Sequence, residues 1–107
     1  MQPKWAASSE MILRTVHMTF QPESVSAFLA LFERHRDNIA GQPGCHSVQL
    51  IQDPGAPHRM GTVSVWEGEE ALNAYRHSDL FGEVWPATKA LFAEPPVAKT
   101  HSLLWAT

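Results

Sequence analysis

From Met11 to Phe20 the side chains alternate. Ile12, Val16, Met18 and Phe20 fall on one face, interrupted by Arg14, while Leu13, Thr15, His17 and Thr19 fall on the other. A period of two with β-branched and aromatic residues predicts a strand. Pro22 and Glu23 suit the first turn of a helix, where proline loses no needed N–H and an acid favours the dipole. Val25, Phe28, Leu29, Phe32, Arg36 and Ile39 then recur at helical spacing and give one sheet-facing stripe. Gly41, Pro43 and Gly44 end that helix. His46 to Gln52 reads as a second strand, with Val48 and Leu50 opposite Ser47, Gln49 and Ile51, and Asp53-Pro-Gly-Ala-Pro as a hairpin loop. Met60 to Glu67 is a third strand. Its valines, Val63 and Val65, are expected against the helices, and Thr62, Ser64 and Trp66 on the opposite face. Glu69 to His77 is a short helix, and Ser78-Asp79 caps another that Pro86 should kink or restart. Pro95-Pro96 is expected to close the helical region, with a last strand from Val97 to Trp105.

The order is strand–helix–strand twice over, joined by a hairpin. That is the α+β, ferredoxin-like split βαβ layout, a four-stranded antiparallel sheet with helices on one face. The uncovered face would carry Leu13, Ile51, Trp66 and either Leu103 or Trp105. Such a surface is too apolar for water alone and calls for a partner or ligand.

Composition narrows the function. The chain has 107 residues, 44% hydrophobic and 18% charged, which fits one folded domain rather than a disordered or coiled-coil chain. We expect residues 1–10 to form a flexible N-terminal extension and residues 11–107 a single domain. A net charge of −3 with no basic stripe argues against nucleic acid. No apolar run approaches the length of a membrane span, and the first ten residues lack a signal-peptide pattern. The one cysteine, Cys45, allows no internal disulfide and fits a reducing compartment, so the expected location is the cytoplasm. The six histidines show neither i,i+4 pairing nor an H-E-x-x-H run, so no metal site is expected. No P-loop, dinucleotide fingerprint or serine elbow occurs.

Pro43-Gly44-Cys45 before a strand, and Val65-Trp66-Glu67-Gly68-Glu69-Glu70-Ala71-Leu72 followed by Ser78 and Phe81, resemble segments of the antibiotic biosynthesis monooxygenase family. The resemblance runs over about residues 11–105. It implies the same fold, usually as a homodimer whose sheets pack into an α+β barrel. Family members and their relatives oxidise aromatic polyketides or quinols with molecular oxygen and no cofactor, degrade haem, or isomerise small metabolites. The chain departs from the family pattern at several places. A common His-Arg-x-Ser-x-His-Phe run is here Tyr75-Arg76-His77-Ser78-Asp79-Leu80-Phe81. The Asn, Trp and His of the haem-degrading relatives correspond to Thr15, Trp66 and Trp85. Indole cannot ligate iron, so haem degradation by that route is not expected. The Asn and Tyr of the polyketide oxidases correspond to Thr62 and Leu72.

The resemblance implies an oxygenase that binds no cofactor and acts on a small aromatic or quinol-like molecule with O2. His17, of a residue type that titrates near neutrality, is the candidate catalytic base. Thr15, Thr62, Ser64, Trp66, Tyr75, Phe81 and Trp85 are the candidate substrate contacts, the aromatic ones as walls for a flat ring. The competing readings are interface filler for His17 and Trp66, core packing for Phe81 and Trp85, and an exposed cap for Tyr75. At the level of the whole chain they are a non-catalytic small-molecule-binding dimer, or an isomerase using the same pocket and a His17 base.

Overall fold

The computed structural model describes residues 11–106; the expected extension at 1–10 lies outside them. The chain runs β1 (Ile12–Phe20), a 3-10 turn (Pro22–Ser24), α1 (Val25–Ala40), β2 (Cys45–Asp53), β3 (Ala56–Trp66), α2 (Glu69–Arg76), α3 (Asp79–Lys89) and β4 (Phe92–Ser102). The strands form one sheet in the order β2-β3-β1-β4 with every pair antiparallel. This is the expected ferredoxin-like α+β layout.

Local chemistry explains most of the boundaries. Asp53 Oδ1 accepts the backbone N–H of Gly55 at 2.8 Å, and Asp53 already pairs with Ala56. The hairpin is therefore tighter than the five-residue loop expected, and β3 starts four residues earlier. Ser78 caps α3, its Oγ accepting from the Phe81 N–H at 3.2 Å. The helix runs on through Pro86 as one element, so the expected restart is not found.

The largest correction is at β4, which starts at Phe92, contains Pro95 and Pro96, and ends at Ser102. Proline is tolerated there because β4 is an edge strand with a bulge. His17 pairs with Val97 and Thr19 with Glu94, so three steps on β4 face two on β1. Leu103 and Trp105 lie beyond the sheet.

Two packed clusters join sheet and helices. One gathers Met18, Phe20, Phe28 and Met60, and the other Ile12, Trp66 and Leu72. The buried stripe of α1 is Phe28, His35 and Ile39, with Leu29 turned out to 42% exposure. Gly44 ties the second cluster to the chain that follows α1. It has φ 79°, and a Cβ there would lie 2.5 Å from the Ala71 Cβ. Its carbonyl accepts the Glu67 N–H at 2.7 Å. The two segments that carry the family resemblance are thus in contact, and only glycine permits both the backbone conformation and the approach.

Candidate functional site

Cross-strand register decides which side chains share a face. Trp66 stands opposite Ile12, Ser64 opposite Arg14 and Thr62 opposite Val16. Directly paired residues project to the same side of a sheet. Thr62, Ser64 and Trp66 therefore face the helices, and Val63 and Val65 face away, the reverse of the expectation. Trp66 is 1% exposed and does not contribute to the uncovered surface.

A cavity of about 240 Å³ opens between the sheet and the helices. Its floor is Arg14, Val16, Val48, Thr62 and Ser64, and its walls include Phe28 and Phe32 of α1, Leu72, Tyr75 and Arg76 of α2, and Phe81, Val84 and Trp85 of α3. Residues of both packed clusters line it, so the layer under the helices parts where the sheet presents Arg14, Thr62 and Ser64.

Six of the eight expected site residues meet here: Thr62, Ser64, Trp66, Tyr75, Phe81 and Trp85. The structure does not bring Thr15 and His17 to them. Thr15 pairs with Val63 and His17 with Gly61, so alternation sends both to the far face, where His17 is exposed. The expectation that His17 shares a cavity with Trp66 is corrected on that ground. Arg14 and Arg76 were not among the expected site residues. Their signal in the sequence was Arg14 itself, a charge breaking an otherwise apolar, helix-facing run.

The aromatic wall is a continuous series. The Trp66 and Tyr75 rings stack at 5.2 Å and 21°, Phe81 meets Tyr75 edge-on at 5.2 Å and 82°, and Trp85 stacks on Phe81 at 5.8 Å and 17°. Two hydroxyls hold these rings in place. Ser64 Oγ accepts the Trp66 indole N–H at 2.9 Å. Ser78 Oγ donates to the Tyr75 carbonyl while accepting from Phe81 N, fixing the junction of α2 and α3 from which both rings project.

Charge at the cavity is positive. Arg14 donates to Thr100 Oγ1 at 2.9 Å across the β1–β4 pair. Burial and then the neighbouring Arg76 lower its pKa, yet a guanidinium stays charged at neutral pH. Neither aspartate, glutamate nor histidine is among the lining residues. Burial, with a smaller contribution from Cys45, pushes Tyr75 up to about 12, so its hydroxyl is a hydrogen-bond donor under ordinary conditions. Burial also raises the Cys45 thiol, opposed by its contact to the Ser47 carbonyl, which does not favour a thiolate nucleophile. Among the described residues no three His, Cys, Asp or Glu side chains gather as a metal-holding group, and no helix is long and apolar enough to cross a membrane.

Tyr75 is the only tyrosine, so its ionisation can be read directly. The phenolate absorbance of the folded chain is expected to rise with a midpoint near 12 rather than near 10. Folded Tyr75 keeps its proton after unfolded Tyr75 has lost it. Its contribution to stability is therefore complete below pH 10 and lost as the pH climbs from 10 to about 12. Tyr75→Phe should abolish the absorbance step and flatten the stability slope in that window. A midpoint near 10 in folded protein would show the hydroxyl to be solvated.

The chain belongs to the antibiotic biosynthesis monooxygenase family, whose model matches residues 11–85. Solved structures share the fold over most of its length. A candidate antibiotic biosynthesis monooxygenase from Bordetella bronchiseptica is 28% identical, with 89% of this chain and 98% of that one covered and a TM-score of 0.78. A counterpart from Caulobacter crescentus is 21% identical, over 90% and 92% of the two chains, with a TM-score of 0.83. SnoaB, a cofactor-independent oxygenase from Streptomyces nogalater solved as a single-site variant, is 16% identical over 91% and 96%, with a TM-score of 0.80. No curated protein matches the chain significantly.

Proposed function

We propose that the chain is a cofactor-independent monooxygenase that oxidises a small aromatic or quinol-like molecule with O2, acting as a homodimer in the cytoplasm. The observation that carries this reading is the cavity, walled by Trp66, Tyr75, Phe81 and Trp85, with Tyr75 keeping its proton under ordinary conditions. Family membership and the description of the Streptomyces neighbour agree with it. Its size, about 240 Å³, is below the roughly 300–1,000 Å³ of drug-sized ligand sites and suits one or two rings.

Without a cofactor the substrate itself supplies the electrons. An ionised phenol or quinol passes electrons to O2. One oxygen atom then becomes a C=O on a ring carbon that carried two hydrogens in its keto form, and the other leaves as water with those hydrogens. The residues contribute a flat apolar cage that excludes water and a Tyr75 donor for the substrate oxyanion. Thr62 is a second hydroxyl on the cavity floor, and Ser64 acts by orienting Trp66. With no carboxylate or histidine lining the cavity, proton loss goes to water.

The test is oxygen uptake with a panel of quinols. Wild type is expected to exceed the quinol's own autoxidation, and Tyr75→Phe to lower the enzymic rate by about 10²-fold, the scale for one oxyanion donor. Uptake no faster than autoxidation, with a ligand-dependent thermal shift, would instead support non-catalytic small-molecule binding, a reading favoured by the lack of a base among the cavity-lining residues.

A further inference from the structure

We propose that the cavity is built for an anion, a flat aromatic acid of one or two rings whose carboxylate is held between Arg14 and Arg76. The inference deepens the oxygenase reading and rests on it for the site, but its test reads binding alone.

Arg14 stands on the covered face of β1, between Ile12 and Val16, where the sheet otherwise carries the core. A guanidinium has five N–H donors. The described hydrogen bonds use one of them, on the Thr100 hydroxyl. Arg76, the last residue of α2, is exposed and lines the same cavity, which puts it at the rim. No carboxylate pairs with either arginine among the described residues; the ion pairs present belong to Arg36, with Glu33 and Asp37. The two guanidinium groups are also close enough for Arg76 to disfavour the charged form of Arg14. Two like charges bordering one apolar space repel, and an anion entering between them relieves that repulsion.

The shape of the space selects the anion. Guanidinium forks match a planar carboxylate with paired N–H···O bonds. A carboxylate attached to an aromatic ring lies near the ring plane, so one flat molecule can fill the cage and present its charge to both arginines. The Arg14–Thr100 bond fixes the inner fork in advance, and Arg76 at the rim is the group free to close over the ligand. Opposite charge at the floor would also keep an ionised substrate in place while it loses its proton to water.

The experiment is calorimetric titration with 2-naphthoate and with 2-naphthamide, which share a ring system and differ in charge. Wild type is expected to prefer naphthoate by at least roughly tenfold, and Arg14→Gln to weaken naphthoate by roughly 10- to 100-fold while leaving naphthamide little changed. Arg14→Lys keeps the charge but not the fork and should fall between. Added salt should weaken naphthoate alone. The wild-type comparison needs no variant, so a poorly folding Arg14→Gln does not remove the test. Equal affinities in wild type, or a preference that survives in a folded Arg14→Gln, would overturn the anion site while leaving neutral-quinol oxygenation standing. Naphthoate preference without oxygen uptake from any quinol, carboxylated quinols included, would uphold the anion site and sink the oxygenase reading. Failure of both ligands to bind would overturn the anion site, and with quinol turnover intact it would do so alone.

Discussion

Trp66→Ala is expected to cost about 3–5 kcal/mol of folding stability, the range for removing a buried aromatic side chain. Trp66 is 1% exposed, packs with Ile12 and Leu72, and carries the stacked Tyr75 ring on its face. For a domain whose total stability is of order 5–15 kcal/mol, that loss should lower Tm by more than about 10 °C. Trp66→Phe separates packing from ligand contact. It keeps a ring in the wall but strands Ser64 Oγ without the indole N–H it now accepts at 2.9 Å. A loss of about 1 kcal/mol in stability should follow. Flat-ligand affinity should fall by roughly 2- to 10-fold, because Trp66 is the platform that holds the cavity-lining Tyr75 ring in place. Unchanged affinity for naphthoate or a quinol in a stable Trp66→Phe would show that Trp66 does not position the wall. Thermal denaturation and titration of the same samples decide between these outcomes.

The fold was legible because its elements are strongly periodic and its turns chemically marked. Ser78 read as a cap and caps α3; Gly44 read as a turn and has the positive φ that a turn glycine supplies. The site was legible in part, and the errors share one cause. Hydropathy assigns apolar residues to the covered face, and a cavity reverses that assignment. Thr62 and Ser64 are polar because they line a space rather than fill a core, so hydropathy turns the valines beside them inward. Ile12, Val16, Met18 and Phe20 identify the covered face of β1. Arg14 in their midst marks the cavity, although periodicity presents it only as an interruption. Thr15 and His17 share the cause, because they join the site only if Trp66 lies on the uncovered face. At β4, Pro95 and Pro96 read as a break because sequence alone does not distinguish an edge strand, where a missing N–H is tolerated, from a central one.

The far face of the sheet carries the last prediction. With Trp66 removed from it, this face still presents Leu13, Ile51, Val63 and Val97, with Ile51 at 44% and Val97 at 64% exposure. Among the described residues no helix covers these side chains, since the helices pack against the opposite face. An apolar sheet face of this kind is stable in water only when something covers it, and we propose a second copy of the chain. An obligate interface buries roughly 2,000 Å² or more in total, which would take about 1,000 Å² from each chain's 6701 Å² of surface. Thr15 and His17 would then be interface residues, which accounts for their polar character without a role in the cavity. Light scattering of wild type is expected to give twice the 11.9 kDa chain mass at micromolar concentration. Ile51→Asp with Val97→Asp places two carboxylates on the face of each protomer and should give a folded monomer, because burying unpaired charge costs several kcal/mol per ion. The cavity lies on the other side of the sheet, so naphthoate binding should survive in that monomer. A wild type that is monomeric at micromolar concentration would remove the dimer. A double variant that stays dimeric would place the contact on another surface.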